Sequence, residues 1–167
     1  NRAKAAAMYG ADTPRLDIVE CDLMEYCTTM DEEFDYIIHC ASPTAGKYMN
    51  EHPVETYELA VETTRALLQY ARKHTIKGMV YVSSLEYYGQ NFDDQIITED
   101  FQGYVDATSA RSSYPMGKRA AEYLCASYAL EYGIHAKVAR LTQTFGAGVA
   151  ADDNRVFAQF ARSVMAG

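Results

Sequence analysis

The chain has 167 residues, enough for one domain and too few for two ordinary ones. Hydrophobic residues make up 49% of it, so a sizeable core can form and a wholly disordered chain is excluded. The net charge of −8 at pH 7 repels nucleic acid and anionic lipid, and no apolar run is long enough to span a membrane.

In chain order, residues 2–9 read as a helix, and Asn1 rather than Met opens the sequence. Together they suggest a piece of a longer protein. No signal-peptide pattern stands there, and a cytoplasmic location is expected. Residues 16–21 alternate apolar and polar like a strand, which Asp22 ends. Residues 36–41 are a short apolar run before the breaker pair Ser42-Pro43. Across residues 53–74, Tyr57, Ala60, Val61, Thr64, Leu67, Leu68 and Ala71 recur at helical spacing, and Pro53 suits the first turn. Residues 79–83 predict a buried strand after Gly78, followed by a polar loop with Gly89, Asn91, Asp93, Asp94 and Gly103. A second long helix is predicted over 113–132, with Gly133 as its C-terminal cap. Residues 135–141 form the last strand, and a Gly-rich loop from Gly146 leads to a final helix over 154–165.

This alternation predicts an α/β fold of parallel strands joined by crossover helices. The continuous apolar strands fit a sheet covered on both faces. In such folds the ligand crevice lies beyond the carboxyl ends of the strands. That rule singles out Asp22, Ala41 and Ser42, Ser83 and Ser84, and Leu141 to Gln143. Cys21, Cys27, Cys40 and Cys125 form no CxxC pair and read as buried, reduced thiols. His39, His52, His74 and His135 are scattered, so no metal site is expected.

Tyr114 and Lys118 are four residues apart and share one helix face. A free phenol titrates near pH 10, and a nearby ammonium favours the phenolate. Such a Tyr can take a proton from an alcohol, and a Ser hydroxyl opposite can hold the alcohol oxygen. These are the requirements for moving a hydride from an alcohol to a nicotinamide. Taken singly, each motif also fits a bland reading, an exposed helix pair or a strand that ends in Ser. Their order and their placement at successive strand ends favour the chemical reading.

The set resembles the extended short-chain dehydrogenase/reductase family, specifically its nucleotide-sugar epimerases and dehydratases, over nearly the whole chain. Tyr81-Val82-Ser83-Ser84-Leu85-Glu86-Tyr87-Tyr88-Gly89 resembles the family's serine-bearing strand end followed by Tyr-Gly, and Tyr114 and Lys118 match its YxxxK pair. The resemblance implies Ser84, Tyr114 and Lys118 as the triad, with Lys118 also at the nicotinamide ribose. It places Asp22 and Leu23 at the adenine and Cys40, Ala41, Ser42, Ser83 and Leu141 along the cofactor. Arg140 to Gly146 is similar to a segment that meets cofactor and sugar diphosphate. Gln143, Asn154 and Arg155 fall at the substrate, with Arg155 or Arg140 near its charge.

The implied cofactor is NAD, with NADP open. The implied fold is a Rossmann-type doubly wound parallel sheet, lacking the first βαβ portion with the Gly-rich turn. Residues 1–167 would be a partial NAD-binding domain running into the substrate-binding region at about 146–167. In the family's strand order, the missing strands belong between residues 16–21 and 36–41. The first of these segments should then stand apart or slide in to pair with the second. The strands near Tyr36, Met79 and His135 should still form a three-stranded unit. The piece made alone is expected to bind NAD weakly or not at all, whereas the full-length protein is expected to be a homodimer.

The sequence departs from the family pattern at Ala60 and Gln143, usually Asn, at Leu141, usually Pro, and at Gly117, often Ser. Family dehydratases carry an Asp-Glu pair after the catalytic Ser or Thr, where this chain has Leu85-Glu86. Glu86 is thus either a second base, as in dehydratases and some decarboxylases, or a residue bonded to loop backbone. A ketoreductase and a non-catalytic dinucleotide sensor are the alternatives. The presence of both Tyr114 and Lys118 speaks against the sensor.

Overall fold

The computed structural model describes residues 2–10, 13–93, 95–146, 149, 152–153 and 155–167. Helix α1 spans Arg2–Tyr9, as its composition predicts. The strand expected over 16–21 does not form. That segment is irregular, with Val19 58% exposed, and has no ladder partner. Helix α2, Leu23–Thr29, follows at once, because the Asp22 carboxylate accepts from the Met24 and Glu25 amides at 2.9 and 3.0 Å. This cap satisfies two otherwise orphaned helix-terminal donors.

Strand β1, Tyr36–His39, leads through a short helix α3, Gly46–Glu51, to the long helix α4, Pro53–His74. Strand β2, Gly78–Ser84, runs parallel to β1, with Ile37 beside Met79 and His39 beside Tyr81. Helix α5, Ser113–Tyr132, ends at Gly133, whose φ of +71° suits glycine. Strand β3, Ala136–Leu141, joins β2 in parallel, with Ser83 beside Arg140 and Ser84 beside Leu141. Helix α6, Val156–Ala166, comes last. The sheet order β1-β2-β3 is the expected three-stranded parallel unit.

The core lies on one face of this sheet. Leu67, Leu68 and Ala71 of α4, Ala121 and Cys125 of α5, and Met79 and Tyr81 of β2 form one buried cluster. Burial along β2 alternates: Met79, Tyr81 and Ser83 are buried, and their neighbours are half-exposed. On β1, Tyr36 and Ile38 point the other way and are 70% and 71% exposed. Among the described residues, then, the second face is open, where cover on both faces was expected. All four cysteines are free, but Cys125 alone is buried; Cys27 is half-buried, and Cys21 and Cys40 are exposed, against the expectation of buried thiols. Among the described residues there is no cluster able to hold a metal, and no helix long and apolar enough to cross a membrane.

Candidate active site

Ser84 closes β2 and caps the tight turn Leu85–Tyr88, its Oγ accepting from the Glu86 amide at 3.2 Å. Gly89 ends the turn at φ +71°, and a Cβ there would stand 2.6 Å from the Tyr104 carbonyl oxygen. Only glycine allows that approach. Two arginines hold the turn from outside. Arg119 donates to the carbonyls of Tyr87, Tyr88 and Gly103. Arg140 lies 3.5 Å over the Tyr87 ring and pairs through two nitrogens with the buried Glu122, which also accepts from Ser83. Arg140 therefore belongs to the scaffold rather than to a substrate's charge. The Ser83 side chain likewise faces the helix layer and not the crevice expected for it.

Tyr114 and Lys118 project from the first turns of α5 toward the end of β2. The Ser84 and Ser42 hydroxyls and the nearby Arg111 charge favour the Tyr114 phenolate. Burial is the larger effect and holds the phenol above its ordinary value. The expected lowering by Lys118 is not seen. The Lys118 ammonium donates to the Val82 carbonyl at 2.9 Å and lies 5.4 Å from the Tyr114 ring centre. Burial brings its own pKa down to about 8, opposed by Glu122 and Cys40.

Two clefts flank this centre. One, of about 200 Å³, is lined by Ser84, Glu86, Arg111, Tyr114, Gln143 and Arg155, together with Thr44, Thr142 and Thr144. The other, of about 230 Å³, is lined by Asp22, Leu23, Ala41 and Ser42, with Cys21, Leu59 and Thr63 beside them. Ser42 lines the second cleft and its hydroxyl favours the phenolate of Tyr114, which lines the first, so the two clefts adjoin at the phenol. The second cleft fits a cofactor: apolar side chains from Leu23, Pro43 and Leu59 are flanked by hydroxyls and by Asp22. Cys40 is exposed near Lys118, and Leu141 is 43% exposed at the end of β3 beside Ser84. Asn154 lies outside the described residues. Arg155 is bound to Asp153 through two nitrogens, and a third reaches the Thr144 carbonyl.

Sequence reasoning missed Arg111. It pairs with Glu86 at 2.6 Å, and its guanidinium stands 5.9 Å from the Tyr114 ring centre. Its position three residues before Tyr114, one turn earlier, is the signal that points to it.

The family model described as "NAD dependent epimerase/dehydratase family" matches residues 1–167. UDP-glucuronic acid decarboxylase 6 of Arabidopsis thaliana is 31% identical over 157 residues, covering 92% of this chain and 43% of that protein. The chain thus spans less than half the length of this relative. A dTDP-glucose 4,6-dehydratase double mutant from Streptomyces venezuelae, solved with NAD and DAU bound, superposes with a TM-score of 0.79 at 24% identity, over 100% of this chain and 49% of that one. RMD from Pseudomonas aeruginosa, complexed with NADPH, does so with a TM-score of 0.76 at 26% identity, over 98% and 57%. A Rossmann-like parallel fold, known in complexes with NAD or NADPH, is therefore the architecture of this chain.

Proposed function

The chain belongs to the NAD-dependent epimerase/dehydratase family, and from that premise we propose that it carries the catalytic centre of a nucleotide-sugar enzyme working by transient oxidation at C4. The observation that carries this reading is the joining of two clefts at Tyr114, with Ser84 and Glu86 on one side and Ser42 on the other. Residues 1–167 form part of the NAD-binding domain, and about 146–167 begin the substrate-binding region.

Bound NAD supplies the acceptor for the C4 hydrogen and returns it at the end of the cycle. Asp22 and Leu23 hold the adenine end; Ala41, Ser42 and Lys118 hold the end near the sugar. Ser84 binds the C4 oxygen, and Tyr114 takes its proton as the ketone forms. Lys118 stands beside the Tyr114 ring, its ammonium bound to the Val82 carbonyl. Gln143 and Arg155 line the side of the cleft assigned to the nucleoside diphosphate.

Decarboxylation is the conversion best supported, because relatives are named UDP-glucuronic acid decarboxylases and Leu85 offers no acid for dehydration. A uronic acid oxidised at C4 is a β-keto acid. Its C5–C6 bond breaks, the electron pair moves to the C4 oxygen, and CO₂ leaves. C5 then takes a proton from a water that the Glu86 carboxylate holds, solvent replaces that proton, and Tyr114 returns its own as C4 is reduced. The same family reading carries a homodimeric, cytoplasmic enzyme.

The test is to supply UDP-glucuronic acid and NAD to the protein that contains this chain. CO₂ release is expected, and Tyr114→Phe should slow it about 10²–10⁴-fold while NAD affinity stays near that of the parent. Absent CO₂ release, together with NADPH-dependent reduction of a ketone, would replace this reading with the ketoreductase one.

A further inference from the structure

Three arginines surround the Leu85–Tyr88 turn, and they are not equivalent. The guanidiniums of Arg119 and Arg140 are bound by backbone carbonyls and by the buried Glu122. Their contacts serve the scaffold. Arg111 differs on two counts. Its Nη2 donates to Glu86 Oε1 at 2.6 Å, while its Nη1 is sealed from solvent and has no hydrogen-bond partner. Buried arginine donors in a purely structural role are normally satisfied. The groups around this guanidinium are instead Glu86 and the face of Tyr114, and it lies where the catalytic cleft meets a second cavity of about 360 Å³.

Placement explains why such a residue is useful. Glu86 rides on the turn that follows β2, whereas Arg111 sits in the short 3-10 turn Ala110–Ser112, directly before the helix that carries Tyr114. The ion pair therefore joins the two separate elements that contribute the site's carboxyl and phenol. A carboxylate on a free χ torsion samples several rotamers, and a charge-assisted bond from a guanidinium on a separate element favours one.

Resting on the decarboxylation reading above, we infer that Arg111 is a positioning residue, which holds the Glu86 carboxyl on one face of C5 so that the proton arriving after CO₂ loss is delivered to that face only.

The experiment is turnover of UDP-glucuronic acid by the protein containing this chain in deuterated water, with the C5 positions of the product read by NMR. The parent protein should place deuterium on one face of C5. Arg111→Met and Glu86→Gln should each scramble the label over both faces, the double variant should scramble it no further, and Arg111→Lys should restore part of the selectivity. A structural role would slow turnover without moving the label. Single-face labelling in Arg111→Met, or in Glu86→Gln, overturns the inference at any rate of turnover. Should Arg111→Met be too unstable to assay, Arg111→Lys and Glu86→Gln decide it. Failure of the parent protein to decarboxylate at all strikes the underlying reading instead, and is told apart by the missing label.

Discussion

Lys118 is only 2% exposed, yet it is an ammonium whose pKa falls from 10.5 to about 8 through burial. Its folded pKa is depressed, so between these two values the unfolded chain holds the proton more tightly. Stability contributed here is present above the unfolded value and is lost as the pH falls toward the folded one. At neutral pH the charge costs the fold up to about 3 kcal/mol. Such a cost fits the role proposed for Lys118 at the site. Lys118→Met should therefore abolish activity while raising the melting temperature near neutral pH. The gain should shrink toward about pH 10, as the parent lysine loses its charge. Thermal unfolding at the two pH values checks this; equal destabilisation at both would show that the Val82 carbonyl contact outweighs the desolvation.

Among the elements, the crossing of α4 and α5 sets the geometry of the site, since α5 carries Tyr114 and Lys118. Two departures from the family pattern meet at that crossing. A Cβ at Gly117 would stand 3.0 Å from the Ala60 Cβ. Ala60 is 2% exposed, so there is little room for it to give. The small pair lets the helices approach closely just where the Tyr and Lys emerge. Along the chain the two departures are unrelated; in space they complement each other. Gly117→Val should cost about 1–3 kcal/mol in urea unfolding through overpacking, and Ala60→Gly in that background should recover part of it. No recovery would mean that Ala60 is not what limits the crossing.

For the molecule as a whole, the open sheet face is the feature with consequences. Tyr36 and Ile38 present apolar surface at the β1 edge, and α6 adds Phe160, Val164 and Met165, between 67% and 86% exposed. On the proposed cofactor side, the described residues supply the cleft lined by Asp22 and Leu23 and the hydroxyls near Tyr114. The pyrophosphate in this family is held by a Gly-rich turn at a helix N-terminus, and no such turn is present among them. Residues 1–167 made alone should accordingly bind NAD weakly or not at all. Calorimetry with NAD decides it, and micromolar or tighter binding would mean that the cofactor is held elsewhere.

The long helix Pro53–His74, the helix Ser113–Tyr132 and the strand between them follow from periodicity, because their buried faces recur along the chain at the helical or strand repeat. That Tyr114, Lys118 and Ser84 meet at one strand end was legible for a related reason: spacing on one helix fixes a shared face, and a strand end fixes a crevice. Between α1 and β1 the reading held only in part: residues 16–21 stand apart, one of the two outcomes expected, but not as a strand. Alternation over residues 16–21 mimics a strand, but a strand needs a ladder partner, and none is offered. Helix α2 starts where Asp22 caps it, a short-range signal that the alternation hid. The tertiary structure alone decided which charges serve which purpose. Arg140, Arg111 and Arg155 look alike in sequence, yet one locks onto Glu122, one onto Glu86 and one onto Asp153. The Asp153 pair is local, but the other two join residues 18 and 25 positions apart on separate elements, and such pairs depend on where the chain brings those elements in space.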